Sequence, residues 1–254
     1  MARRLRELST TTFRAVVFLG LLAASSPAQK TIIISDSLAA NSDRLKVNNP
    51  AQWLGRIPGW RFGDYAVGSS KGGATETATH RNLFDTKSQS HTTERFSFVL
   101  TNKTTDSAMV DALRNSDVDS LKGLQLGNGW SIGREAVVES GNFSAIVTIN
   151  GDTTGRWGLF LGIAADSGYA GFLTNGDRRI SVALASSNRD PSDLRGPPAI
   201  GFEFVEGGRS VGAVQYFGGS NALNRFVWID RSLDARTKLI LAAAMTAILQ
   251  ANRL

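Results

Sequence analysis

Short alternations of hydrophobic and polar residues organise the chain from about Phe96 onward. In "FSFVL" (96–100), Phe96, Phe98 and Leu100 alternate with Ser97 and Val99, the period-2 pattern of a strand with one buried face. "FSAIVTI" (143–149) places Phe143, Ala145, Val147 and Ile149 on one face. "RWGLFLGI", "YAGFL", "RRISVALA", "GFEFVE", "SVGAVQYF" and "RFVWID" then follow with only short breaks. Thr174-Asn175-Gly176-Asp177 and Gly207-Gly208 supply hairpin signals between neighbouring runs, because tight hairpin turns need positive φ. Successive strands without intervening helices predict a mainly β fold: an antiparallel β-sandwich or partly closed barrel built of hairpins.

Two stretches change period. "DSAMVDALRNS" (106–116) predicts a short helix, with Asp106 or Ser107 as its cap. "SLDARTKLILAAAMTAILQANRL" predicts a C-terminal α-helix over about 233–251, with Ser232 as cap and Asp234 in the first turn. Its apolar stretch is too short for a membrane anchor, so the helix is expected to pack across a sheet or close one end of the domain. A helical ending and irregular turns also fit a transmembrane β-barrel poorly.

Residues 68–94 are rich in Ser, Thr and Gly and read as exposed edge strands or a mobile loop. "SSNRDPSDLRGPP" (186–198) contains Asp-Pro, Gly-Pro and Pro-Pro, so it predicts a long excursion between strands.

The N-terminus reads differently from everything after it. Arg3, Arg4, Arg6 and Arg14 precede an apolar stretch from Ala15 to Ala24, and Ser26-Pro27-Ala28 puts small residues at a cleavage site. That order predicts a cleavable secretory signal peptide over 1–28 rather than a permanent anchor. Residues 29–254 then form a single β-rich domain, long enough to bury a real core. The chain has no cysteine, so an exported fold must be held by packing without disulfides, which suits a bacterial periplasm or surface.

Charge weighs against nucleic acid. The leader's four arginines and one glutamate account for half of the formal +6. The remaining basic residues are scattered, whereas nucleic-acid binding needs a concentrated footprint. Two sequons, at Asn102 and Asn142, have meaning only in a eukaryotic secretory pathway.

Candidate chemistry is sparse. "THRNLFDTKSQSH" (79–91) holds both histidines. A two-residue turn at Asp85-Thr86 would set His80 directly opposite His91, within reach of a shared metal. Asp-Thr is a poor two-residue turn, however, and no HExxH-type spacing is present. The expectation is therefore a solvated strand. A Ser-His-Asp triad lacks the G-x-S-x-G elbow that would give it a sequence handle. Glu135 and Glu139 would lie roughly 13 Å apart along an extended strand, beyond the roughly 5–9.5 Å of glycosidase carboxylates. Their strand carries Trp130, Ile132, Ala136 and Val138 on its other side. Glu203 alternates with Phe202 and Phe204 and is likewise assigned to a solvent face. Gly127-Asn128-Gly129 reads as a hairpin turn, since "GLQLGNGWSIG" lacks the Gly-Lys-Ser/Thr ending of a phosphate loop. Trp157 and Trp228 sit in apolar strands and are expected in the core. Trp53 and Trp60 flank the loop-like "LGRIPG" and are candidates for a ligand-facing ring.

No catalytic, metal or cofactor residue is thus assigned. The chain reads as an exported envelope or secreted protein, a non-enzymatic binding or assembly module. Its expected partner is envelope glycan or another envelope protein, with no nucleic acid and no transmembrane anchor after cleavage. The alternative is a hydrolase acting on cell-wall or extracellular glycan.

Overall fold

The computed structural model describes residues 30–48, 59–81, 87–121, 124–125, 131–132, 136–162, 169–187, 198–218 and 224–252. The leader, Trp53, Asp85, Gly127–Gly129, Trp130 and Glu135 lie outside them. The chain begins with α1 (Asp36–Asn41), β1 (Leu45–Lys46), β2 (Arg61–Phe62), β3 (Tyr65–Arg81) and β4 (Lys87–Thr101). It continues with β5 (Ser107–Leu121), β6 (Leu124–Gln125), β7 (Ser131–Ile132), β8 (Ala136–Ile149) and β9 (Asp152–Gly162). β10 (Tyr169–Thr174), β11 (Arg179–Ser186), β12 (Ile200–Glu206), β13 (Arg209–Phe217), β14 (Phe226–Ile229) and α2 (Ala235–Ala251) complete it.

Twelve strands form one antiparallel sheet in the order β1-β14-β13-β12-β11-β10-β9-β8-β5-β4-β3-β2. The sheet curls until its two edges meet. Asn48, just past β1, bridges Arg61 of β2 through N–H···O bonds of 2.8 and 3.1 Å. The result is a nearly closed barrel with one helix packed against its inner wall.

Strand number explains the helix. About eight strands enclose a lumen that wall side chains alone can fill, and twelve leave more room. α2 occupies that room, and every residue from Leu239 to Ala251 is buried, as expected for a helix apolar on all sides. Ala242, Ala243, Ala244 and Ala247 keep it slim. Gly212 thins the wall beside it, where a Cβ would sit 2.5 Å from Met245 Cε. The first turn is capped by Asp234, which accepts from Thr237 N at 2.8 Å. Asp234, and not Ser232, is therefore the cap, and the helix starts two residues later than the sequence suggests. At the other end Arg114 Nη1 donates to Ala251 O at 2.7 Å, satisfying an orphan carbonyl.

Residues 106–116 correct the predicted helix. All but Asp106 lie in β5, where Ala108, Val110 and Ala112 are buried and Met109 and Asp111 are exposed. Pairing to β4 on one side and β8 on the other overrides a weak helical propensity. The hairpin read at Asn175-Gly176 joins β10 to β11, with a loop longer than two residues. Thr174 pairs with Arg179 across a four-residue loop, in which Asn175 Oδ1 accepts from Asp177 N and Arg178 N. The two-residue Asn-Gly hairpin is Asn150-Gly151, with φ of 47° and 74° between Ile149 and Asp152.

A smaller second core lies outside the barrel. Residues 30–44 cross the outer wall, and Ile32 and Leu38 pack with Ala185, Ala213, Phe226 and Trp228. The strand Phe226–Ile229 is consequently buried on both faces, with Val227 and Ile229 turned to the inner core. Glu203 Oε1 pins this strap by accepting from Ser35 N (2.9 Å) and Ser210 Oγ (2.5 Å). Glu203 is thus a half-buried anchor rather than a solvent-facing charge.

Four strands outrun the barrel. β9 pairs with β8 no further than Asn142↔Gly162. Beyond that point β3, β4, β5 and β8 continue as a four-stranded flap, out to Arg81↔Ser88, Lys87↔Leu121 and Leu121↔Ala136. Residues 68–81 and 87–94 thus form strands, β3 along the flap's edge and β4 inside it, while 82–86 lie outside the described residues.

Candidate functional site

Where α2 ends, the barrel opens. The inward side chains of β11 show the change: Ile180 and Val182 are fully buried, whereas Leu184, the next on that face, is 53% exposed. Beside it lies a cleft of roughly 300 Å³, at the lower end of the size range of small-molecule sites, which favour barrel mouths. Phe143, Leu161, Phe202 and Tyr216 supply its apolar walls, and Ala251 and Asn252 its floor. Phe202 and Tyr216 pack with ring centroids 5.5 Å apart. Phe143 is backed by Phe96 at 6.1 Å. These rings are fixed by the core beneath them, so the apolar wall is preformed.

The polar side of the cleft comes from β5 and β8. Arg114 reaches over the helix end and is tied there by its bond to Ala251 O. Asn115 Nδ2 donates to Asn142 Oδ1 at 3.3 Å, and Asn115 Oδ1 accepts from Thr93 Oγ1 at 3.1 Å. Asn252 is held by its own helix through Ile248 O. Burial pushes the Tyr216 phenol above its ordinary value, so it stays neutral. Among the described lining residues there is neither a histidine nor a carboxylate. The arrangement offers hydrogen-bond donors, one guanidinium and an apolar wall, which is the equipment for holding a molecule.

The residues singled out from the sequence lie elsewhere. His80 faces Gln89, and His91 faces Ala78. In this register the histidines are diagonal neighbours, about 7–8 Å apart, not directly opposed. His91 Nδ1 instead meets Asp117 Oδ1 of β5 at 2.5 Å, with Thr93 Oγ1 3.3 Å from Nε2. Among the described residues no group of three or more His, Asp or Glu is placed to hold a metal ion.

Trp60 departs from its reading. It is fully buried, donating its indole N–H to Gln250 Oε1 at 3.3 Å, so it presents no ring to a ligand. Arg225 lies 5.4 Å from its ring centroid, and burial lowers that guanidinium's pKa. Trp157 is buried in the inner core with Arg178 5.5 Å from its ring centroid, and Trp228 is buried under the strap. The mouth residues are drawn from β5, β8, β9, β11, β12, β13 and α2. No sequence window contains them together. The one local signal is Leu184, an inward position one step past the last buried one.

No protein-family model matches the chain, nor does any curated protein or solved structure. Among the described residues no helix is long and apolar enough to cross a membrane.

Proposed function

We propose that this protein is an exported, non-enzymatic binding module that holds a small amphipathic ligand in the mouth of its barrel. The observation that carries the reading is the exposed, inward-facing Leu184 beside the Phe202–Tyr216 pair, with Arg114 across the helix end. An apolar wall facing one guanidinium suits a short acyl or aromatic group bearing an anionic head. Export rests on the leader residues. N-terminal sequencing of the secreted protein should then begin at Gln29, and retention of Met1 would oppose it.

Thermal unfolding with medium-chain carboxylates, the matching alcohols and wall oligosaccharides tests the ligand. A ligand at a hundred times its Kd adds about 2.7 kcal/mol, several degrees of Tm for a domain of this size. Carboxylates should raise Tm most. Leu184→Glu should abolish the rise without changing the unliganded Tm, since that side chain is half exposed. A shift that survives Leu184→Glu, or no shift with any of these compounds, contradicts the proposal. A shift with oligosaccharide accompanied by product would instead favour a glycan hydrolase.

A further inference from the structure

We infer that the free edge of β3 pairs with the same edge of a second copy, making a two-fold dimer through the flap. Among the described residues, strand pairing on that side covers the beginning of β3: Tyr65 and Ala66 pair with β2, and Val67 N donates to Trp60 O at 3.0 Å. From Thr75 to Arg81 the edge faces no strand among the described residues, and Thr75 to His80 are all exposed.

Natural edge strands are normally blunted by lysine, proline or bulges. On β3 such features sit early: Lys71, and register shifts between Val67 and Ser69 and between Gly72 and Thr75. Past Thr75 the strand runs regularly as Thr-Glu-Thr-Ala-Thr-His, without lysine or proline.

The exposed sequence complements itself. An antiparallel pairing of two β3 edges centred on Ala78 sets Glu76 opposite His80 of the other copy, and does so twice. It also sets Thr77 opposite Thr79 twice. Directly opposed residues approach to about 4.5–5.5 Å at Cβ, close enough for an imidazole N–H to meet a carboxylate. Hydroxyls already pair this way within the flap, Thr77 with Thr92 at 3.2 Å and Thr79 with Ser90 at 2.9 Å. No other register brings Glu76 against His80, so that carboxylate–imidazole pair singles this one out. A two-fold pairing of identical edges also closes on itself, with no tendency to run on into fibres.

Sedimentation equilibrium of the full exported chain tests the inference. The protein should be a reversible dimer. Glu76→Lys alone and His80→Glu alone should each raise the dimer Kd at least about tenfold. The double variant Glu76→Lys/His80→Glu should restore it by reversing the pair. Because the chain has no cysteine, Ala78→Cys gives a clean register test: it should cross-link under oxidation, whereas Met109→Cys on the barrel wall should not. A monomer at every concentration, a dimer indifferent to both single reversals, no cross-link through position 78, or assemblies larger than two would each overturn it.

Discussion

Between Phe96 and Leu100, β4 buries every second side chain; between Gln89 and Glu94, on the same strand, it buries none. The backbone ladder is the same in both halves, with β4 paired continuously to β5 from Lys87 to Thr101. What differs is the inner face. In the barrel that face meets α2 and the opposite wall. In the flap, α2 has already ended at Ala251. Hydrogen bonds exchanged with water contribute little net stability, while apolar burial contributes most of it. One set of strands therefore makes a rigid body and a weakly held extension, and the candidate ligand cleft sits at the junction.

The largest effects should come from the body. Leu241→Ala removes a fully buried side chain from the middle of α2 and should cost about 2–5 kcal/mol, read as a lower urea midpoint. Gly201→Ala tests the wall itself. A Cβ there would lie 2.1 Å from Val214 O, so β12 and β13 must separate, and a loss of about 2–4 kcal/mol is expected from the broken packing and pairing. Should either variant unfold at the wild-type midpoint, the barrel is not where the stability resides.

Smaller effects belong to the helix entrance. Asp234→Ala removes the cap of α2 and should cost about 1 kcal/mol. Hydrogen bonds from Thr237 hold the Asp234 carboxyl below its usual range. Burial pushes Asp230 upward, but bonds from the backbone and hydroxyl of Ser232 and from Arg209 outweigh it and leave its pKa lowered. Carboxylates with depressed folded pKa values stabilise the fold above the unfolded value of about 3.9, and that contribution is lost as pH falls through the lower folded values. Tm followed against pH should thus begin its carboxylate-driven decline below about pH 4. Asp234→Asn, which keeps a capping side chain without a titrating group, should make the decline shallower. An unchanged profile would remove Asp234 from the explanation.

The smallest effects should be in the flap. Thr77→Ala and Thr92→Ala each delete an exposed hydroxyl pair and should change stability by less than about 0.5 kcal/mol. A large loss from either would erase the contrast between the two regions.

The sequence carries the strands of the body because burial on one face leaves an alternation that can be read locally. Phe96, Phe98 and Leu100 are one example; Ile180 and Val182 are another. It carries the C-terminal helix for the same reason. It does not carry 106–116, where Ala108, Val110 and Ala112 suit a strand while Asp106, Met109 and Leu113 suit a helix, and pairing on both sides decides. Nor does it carry the closure of the sheet, which depends on Asn48 meeting Arg61, or the inward placement of α2, since a helix apolar all round looks alike inside a barrel or against its side. The cleft was illegible because its residues come from seven elements. The histidines were legible as residues of a solvated strand, but not their register, which sets His80 against Gln89.

Hydrogen–deuterium exchange read along β4 and α2, at low protein concentration, tests the central contrast most directly. Amides of Phe98–Leu100 and Leu241–Leu249 should exchange only through global unfolding. Those of Gln89–Thr93 should exchange at least about a hundredfold faster, through local opening. Equal protection along the whole of β4 would contradict the account, because it would mean that the flap shares the stability of the barrel without sharing its core.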